Sequence, residues 1–305
     1  MPVLLHEVMQ ALNIQAEGIY VDCTFGRGGH SKMILQQLAD NGRLFAIDRD
    51  PAAIDSLLNE FYQDPRFSLE KGRFSGLLEF TRKHRITGRV AGILLDLGVS
   101  SPQLDDAGRG FSFRNQAALD MRMDNSSGMT AADWVNSASE VEITNILRVY
   151  GEEKFAKRIA RAIVQARKDE RIESTTRLAE LIAKAVPVHE KDKHPATRSF
   201  QAIRIRINEE LDELRAVLVQ ALETLGHKGR LVVISFHSLE DRIVKRFMRE
   251  HSRGDSYPPD IPVTADQLHP KLKIINKAVY PTEDEIRKNP RARSAVLRTA
   301  ERIRE

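Results

Sequence analysis

At 305 residues, 41% apolar and 30% charged, the chain has the composition of a globular protein with one large domain or two modest ones. No apolar run is long enough to span a membrane, and Met1-Pro2-Val3-Leu4-Leu5-His6-Glu7 lacks the basic start and apolar core of a signal peptide, so a cytoplasmic location without a membrane partner is expected. A single cysteine, Cys23, excludes an internal disulfide and a cysteine-based zinc cluster, and no metal is implied.

Charge is unevenly spread. The net charge is only +4, yet residues 148–206 hold fifteen Lys/Arg against eight Asp/Glu, and residues 287–304 hold seven against one. Two basic segments on an otherwise acidic body suggest contact with a polyanion; solvated helix faces are the plainer alternative.

In chain order, Ile19 to Asp22 reads as a short buried strand. It is followed by the glycine-rich turn Gly26-Arg27-Gly28-Gly29 and by a helix from His30 to about Ala39. Glycines there let a ligand approach the backbone, and the helix start offers free N–H groups. The dinucleotide fingerprint would need glycine at position 31, where Ser31 stands. Asp22, at the strand's end, would repel a pyrophosphate but suits a ligand with an ammonium and a sulfonium, such as S-adenosylmethionine. NAD, or a turn with no ligand, stay open as alternatives. Arg43 to Asp48 is a second strand ending in an acid at the spacing of a ribose-binding carboxylate.

Asp50-Pro51 starts a helix to about Phe61, Arg66 to Glu70 is a third strand, and Gly76 to His84 a further helix. Val90 to Asp96 is an apolar run of buried-strand length closed by an acid. Alternation of this kind predicts an open parallel α/β sheet with ligands beyond the carboxyl ends of its strands. Residues 101–129 are polar and Gly-rich and read as an ordered rim or lid, with Phe111, Phe113, Met121 and Met123 scattered among charges. Helices follow at 139–150, 152–168 and 176–186. A long amphipathic helix from Ile207 to Gly226, a fifth strand from Gly229 to His237 and a helix from Leu239 to Glu250 resume the sheet pattern. A Pro-rich linker, 254–270, leads to 272–279 and 294–300, two candidate terminal strands.

Asp96 ends the fourth strand, expected beside the first, and so faces the cofactor's reactive end. There it either orients a substrate amine through its N–H groups or serves as a ribose ligand or helix cap. Cys23 lies inside the first turn rather than on a catalytic loop, which sets aside thiolate-dependent methylation at cytosine C5. Trp134 is read as core packing or as a base-stacking platform. Lys193 to Arg198 is a basic turn able to hold phosphates, and His237 lies near the expected substrate.

The residues together resemble the RsmH (MraW) family, bacterial 16S rRNA cytosine-N4 methyltransferases. The resemblance rests on Asp22-x-Thr24-x-Gly26-x-Gly28-Gly29-His30-Ser31, on Asp96-Leu97-Gly98-Val99-Ser100-Ser101-x-Gln103-Leu104-Asp105, and on Arg109-Gly110-Phe111-Ser112-Phe113. Leu119 to Asp124, His194-Pro195-Ala196-Thr197-Arg198 and Ser235-Phe236-His237-Ser238-Leu239-Glu240-Asp241-Arg242 extend it. It implies a class I S-adenosylmethionine-dependent methyltransferase, Rossmann-like, in which residues 1–104 and 201–305 flank a lid and helical insert at 105–200 that recognises substrate. It further implies action on a P-site cytidine of 16S rRNA in the small ribosomal subunit, and cofactor contacts at Gly28, Gly29, His30, Asp48, Phe74, Asp96 and Gln103. The residue reading adds Asp22 and Gly26 to the cofactor set, and Trp134, His194, Arg198 and His237 to the substrate set. A ribosome-assembly factor without catalysis and an NAD oxidoreductase are the competing functions, and a homodimer is left open.

Overall fold

The computed structural model describes residues 2–56, 59–188, 194–254 and 268–303; most of the expected Pro-rich linker, together with Lys191, Lys193 and Arg304 of the basic segments, lies outside them. Two compact units are present, one formed by Met1–Gly98 with Leu211–Glu305 and the other by Val99–Glu210. Among the described residues no helix is long and apolar enough to cross a membrane.

The first unit is built on seven strands: β1 (Ile19–Asp22), β2 (Arg43–Asp48), β3 (Phe67–Lys71), β4 (Val90–Asp96), β5 (Leu225–Ser235), β6 (Leu272–Ile274) and β7 (Val296–Arg302). Their order across the sheet is β3-β2-β1-β4-β5-β7-β6, with β1 to β5 parallel and β7 antiparallel to both its neighbours. This is the Rossmann-like class I arrangement expected, with the terminal pair as its antiparallel edge. Side chains alternate across the sheet. Val21, Ile93, Leu95, Leu231 and Val233 pack on one side with α5 (Leu77–Lys83), α12 (Glu210–Thr224) and α13 (Ser238–Arg253). Tyr20, Leu44, Leu94, Val232 and Ile234 pack on the other with α1 (Leu5–Leu12) and α2 (Gly29–Leu35). Because β4 and the Leu231–Ile234 part of β5 are covered on both faces, they read as continuous apolar runs rather than alternating ones.

Several boundaries differ from expectation. α1 was not anticipated: Leu4 precedes it in left-handed conformation (φ 52°), and its N–H donates to Glu285 Oε1 at 2.7 Å. The helix expected from Ile207 to Gly226 is two, α11 (Thr197–Asn208) and α12, because Glu209 between them turns left-handed at φ 55°. Gly226 accordingly lies in β5, which starts at Leu225. Helix α2 stops at Leu35, and α3 (Pro51–Asp55) is followed by a separately assigned turn, α4 (Asn59–Tyr62).

The second unit is all-helical: α6 (Ser101–Asp105), α7 (Ala131–Ser137), α8 (Glu140–Gly151), α9 (Ala156–Asp169), α10 (Thr175–Ala185) and α11. Its core joins Trp134, Ile143, Leu147, Ile159, Ile163, Leu178, Ile182 and Ile203. The stretch 106–129 has little regular structure but is pinned down. Leu119 and Met121 are fully buried, and Asn208 accepts the Met123 N–H (2.8 Å) while donating to the Met121 carbonyl (2.7 Å).

Candidate active site

The carboxyl ends of β1, β2 and β4 place Asp22, Asp48 and Asp96 along one edge of the sheet, around the turn that leads into α2. Asp22 is 1% exposed; its Oδ1 accepts the Thr24 N–H (3.1 Å) and its Oδ2 the Ser31 hydroxyl (2.7 Å). Burial raises its pKa, and those hydrogen bonds only partly offset the shift. Ser31, which breaks the dinucleotide fingerprint, thus serves to hold Asp22. Thr24 Oγ1 in turn accepts the Asp96 N–H at 2.7 Å, stitching the turn to the end of β4.

Asp48 accepts the Gly26 N–H (2.7 Å) and the Asp50 N–H (2.8 Å), so it braces the glycine turn from β2. Burial nevertheless pushes its pKa up to about 6. Gly72 donates to the Asp48 carbonyl, which brings the half-buried Phe74 to the same edge beyond β3.

Gly28 holds φ at 72°, and a Cβ there would lie 2.7 Å from the Phe61 ring and 2.8 Å from the Phe25 ring. Those rings meet edge-on at 5.3 Å beneath the turn. We expect Gly28→Ala to cost about 1–3 kcal/mol in urea unfolding, since overpacking and a positive φ act together. Gly29 is equally closed to a side chain, here by the ring of Pro2.

His30 is buried in the first turn of α2. Its Nε2 lies 3.0 Å from the Val3 carbonyl, which can only accept, so Nε2 carries the proton. Nδ1, on the other side of the ring, sits 3.6 Å from Asp96 Oδ2. Asp96 has the environment of a working carboxylate. Burial raises its pKa to about 6, His30 draws it down, and Asp22 and Glu240 push it up. Its side chain is 26% exposed, yet Oδ1 is sealed from solvent without a hydrogen-bond partner. Acceptor capacity is therefore unspent at the end of β4.

This edge fits a cationic, ribose-bearing ligand. One buried and two half-buried carboxylates, a glycine turn closed to side chains at Gly28 and Gly29, and an unsatisfied acceptor suit S-adenosylmethionine better than a pyrophosphate.

The other expected residues fall as follows. His237 caps α13: its Nδ1 accepts the Glu240 N–H at 3.4 Å, and Glu240 Oε2 accepts the N–H groups of Phe236 (2.8 Å) and His237 (3.3 Å). Its Nε2 is buried against the same acid, 3.2 Å from Glu240 Oε1 but outside hydrogen-bond geometry. In the helical unit, Gln103 Oε1 accepts the Ser100 N–H (2.8 Å) in the first turn of α6. His194 stacks against Phe113 at 4.6 Å, and Arg198 lies half-buried in the first turn of α11.

Trp134 is a correction. It is 2% exposed inside the helical core, with Nε1 donating to Glu142 at 2.9 Å, so neither ring face is open for base stacking. Two acids deserved more weight from the sequence. Glu240 stands three residues after His237 at a helix start, the spacing of a reciprocal cap, and Glu285 follows Thr282 in the same way.

Several solved structures align with the whole chain. An rRNA methylase from Streptococcus thermophilus is 10% identical, covers 100% of this chain and 99% of its own, and has a TM-score of 0.45. NSun6 from Pyrococcus horikoshii, solved with SFG, is 13% identical, covers 100% and 53%, and has the same TM-score. At those values the likenesses carry no weight for chemistry. The whole-chain match does: the model of the MraW methylase family spans residues 1–303, and this chain, an S-adenosylmethionine-dependent methyltransferase, belongs to that family.

Proposed function

We propose that the enzyme methylates rRNA, and within it the exocyclic N4 amine of a P-site cytidine in 16S rRNA of the small subunit, in the cytoplasm. The observation that carries the reading is the Asp96 carboxylate, with an unsatisfied oxygen and a pKa near 6 at the strand end beside the glycine turn. Support also comes from the family and from the motif residues quoted above.

Bound S-adenosylmethionine supplies an electrophilic methyl group on a sulfonium. In this reading Asp22 balances its charge, Asp48 takes ribose hydroxyls, and Gly26, Gly28, Gly29, His30, Phe74 and Gln103 shape the site. An amine conjugated to a pyrimidine ring is a poor nucleophile, because its lone pair is delocalised. Asp96 accepts an N–H and so favours a pyramidal nitrogen, while orientation contributes up to ~7–11 kcal/mol. Transfer would break the sulfonium's S–CH3 bond, leaving a neutral thioether and a cationic nitrogen, and Asp96 Oδ2 is placed to take the proton that nitrogen sheds, with His30 Nδ1 3.6 Å from that oxygen. His194, Arg198 and His237 are assigned to the RNA.

Protonating Asp48 and Asp96 removes negative charge from the site. Affinity for the cationic cofactor should therefore fall as pH drops through about 6. Stability runs the other way: these raised acids favour the folded state at low pH, and that contribution is lost as pH rises through about 6. Calorimetric titration of the cofactor across this range, with Asp96→Asn alongside, checks it; equal pH dependence in both proteins would remove Asp96 from the account.

The deciding experiment is methyl transfer from labelled S-adenosylmethionine to small subunits from cells lacking the protein, with nucleosides identified by mass spectrometry. N4-methylcytidine at one site is the expected product. No incorporation by protein that binds the cofactor would overturn the reading and favour a non-catalytic assembly factor. Equal turnover on protein-free rRNA would refute the assembled subunit as the preferred substrate.

A further inference from the structure

We infer that the outward face of α13 is a track for the phosphate backbone of the RNA substrate, an inference that rests on the RNA reading above. α13 starts just beyond His237, at the same end of the sheet as Asp22, Asp48 and Asp96. Arg242, Arg246, Arg249 and Arg253 recur at spacings of four, three and four, which sets them in one stripe, with Lys245 on its flank. All five are exposed, and the stripe runs about 16 Å away from the strand ends.

The helix's acids do not neutralise this face. Glu240 is buried under the Phe236 and His237 N–H groups, and Asp241 is gripped by Arg298 at 2.6 and 3.1 Å. Glu250 alone among them is exposed. Among the described residues, no ion pair holds Lys245, Arg246, Arg249 or Arg253. A net count over the segment hides the stripe, because three acids stand among five bases while only one of the three faces outward.

Polyanionic RNA fits this face better than a bilayer does. A helix lying in a membrane surface must give its apolar face to lipid, and here that face is spent: Val244 and Met248 are buried with Leu231, Val233 and Leu272. What remains outward is cationic, repetitive and indifferent to sequence, the chemistry of backbone contact.

The test compares Lys245→Gln/Arg246→Gln/Arg249→Gln with a charge-matched control, Arg82→Gln/Arg85→Gln/Arg89→Gln. The control residues are exposed at the opposite end of the sheet, before β4. Binding of transcribed small-subunit rRNA is followed by anisotropy across a salt series. The α13 variant should lower the slope of log K against log salt by about 2–3, with melting temperature and cofactor affinity unchanged and the control slope unmoved. An unchanged slope in the α13 variant, or an equal drop in the control, overturns the inference. Loss of binding to phosphatidylserine vesicles without a change in RNA slope would assign the face to a membrane and overturn it too. If the wild type shows no salt-dependent binding to transcribed rRNA or to small subunits from cells lacking the protein, the RNA reading itself fails and takes the track with it.

Discussion

Replacing Asp96 by asparagine should lower single-turnover methyl transfer by roughly 10²–10³-fold at saturating cofactor, within the range general-base groups contribute. The amide is nearly isosteric and still offers one acceptor, so backbone geometry at the end of β4, held by the Thr24 hydroxyl at 2.7 Å, should survive. What it cannot do is take a proton. The wild-type carboxylate, with a pKa near 6 and His30 at 3.6 Å, is placed for that. The measurement must separate two roles, because a carboxylate here also acts on the cofactor's charge. If cofactor affinity drops while the rate at saturation stays within about threefold of wild type, Asp96 is a binding group and not a catalytic one.

Asp22→Asn should have the opposite profile. Asp22 is buried, and its charge is disfavoured by burial even with Ser31 and Thr24 bonded to it. Removing that charge relieves the ligand-free protein, so its melting temperature should hold or rise. The cofactor's cation then loses a buried counter-charge, which typically costs about 2–5 kcal/mol, or roughly thirtyfold or more in affinity. Thermal shift with and without S-adenosylmethionine reads both halves at once. A ligand-free protein destabilised by several degrees, with its cofactor-induced shift intact, would make Asp22 a structural brace instead.

Much of this architecture could be read from the chain because the physics is local. Val90 to Asp96 is apolar throughout because β4 is covered on both faces, and its closing acid marks the end where ligands bind. Asp22 and Asp48 follow the same rule. What stayed hidden depended on distant partners or single dihedrals. α1 has no capping side chain of its own, and its entry is fixed by Glu285, far away in sequence. The break at Glu209 is one left-handed residue, invisible to a hydrophobic period that runs on through Ile207, Leu211 and Leu214. Trp134 gives the same composition signal whether it packs or stacks; only the Glu142 partner and its burial decide. α7 carries a local signal of its own, since Thr130 and Asp133 form a reciprocal cap before Trp134.

The sheet's order has a consequence for biosynthesis. β4 pairs with β5, yet more than a hundred residues of helical unit are translated between them. At about 5–20 residues per second, the open edge of β4 waits several seconds or more for its neighbour. β7, last of the seven in sequence, must then slot between β5 and β6, strands already made. A nascent chain is therefore left with an exposed, strongly apolar edge that invites pairing with other chains. The hydrophobic core of the 99–210 unit is drawn from that stretch of chain alone, so every residue it needs is translated before β5. Pulse-labelled nascent chains stalled before and after residue 235 should accordingly differ sharply in protease resistance of β4, and much less in that of the helices.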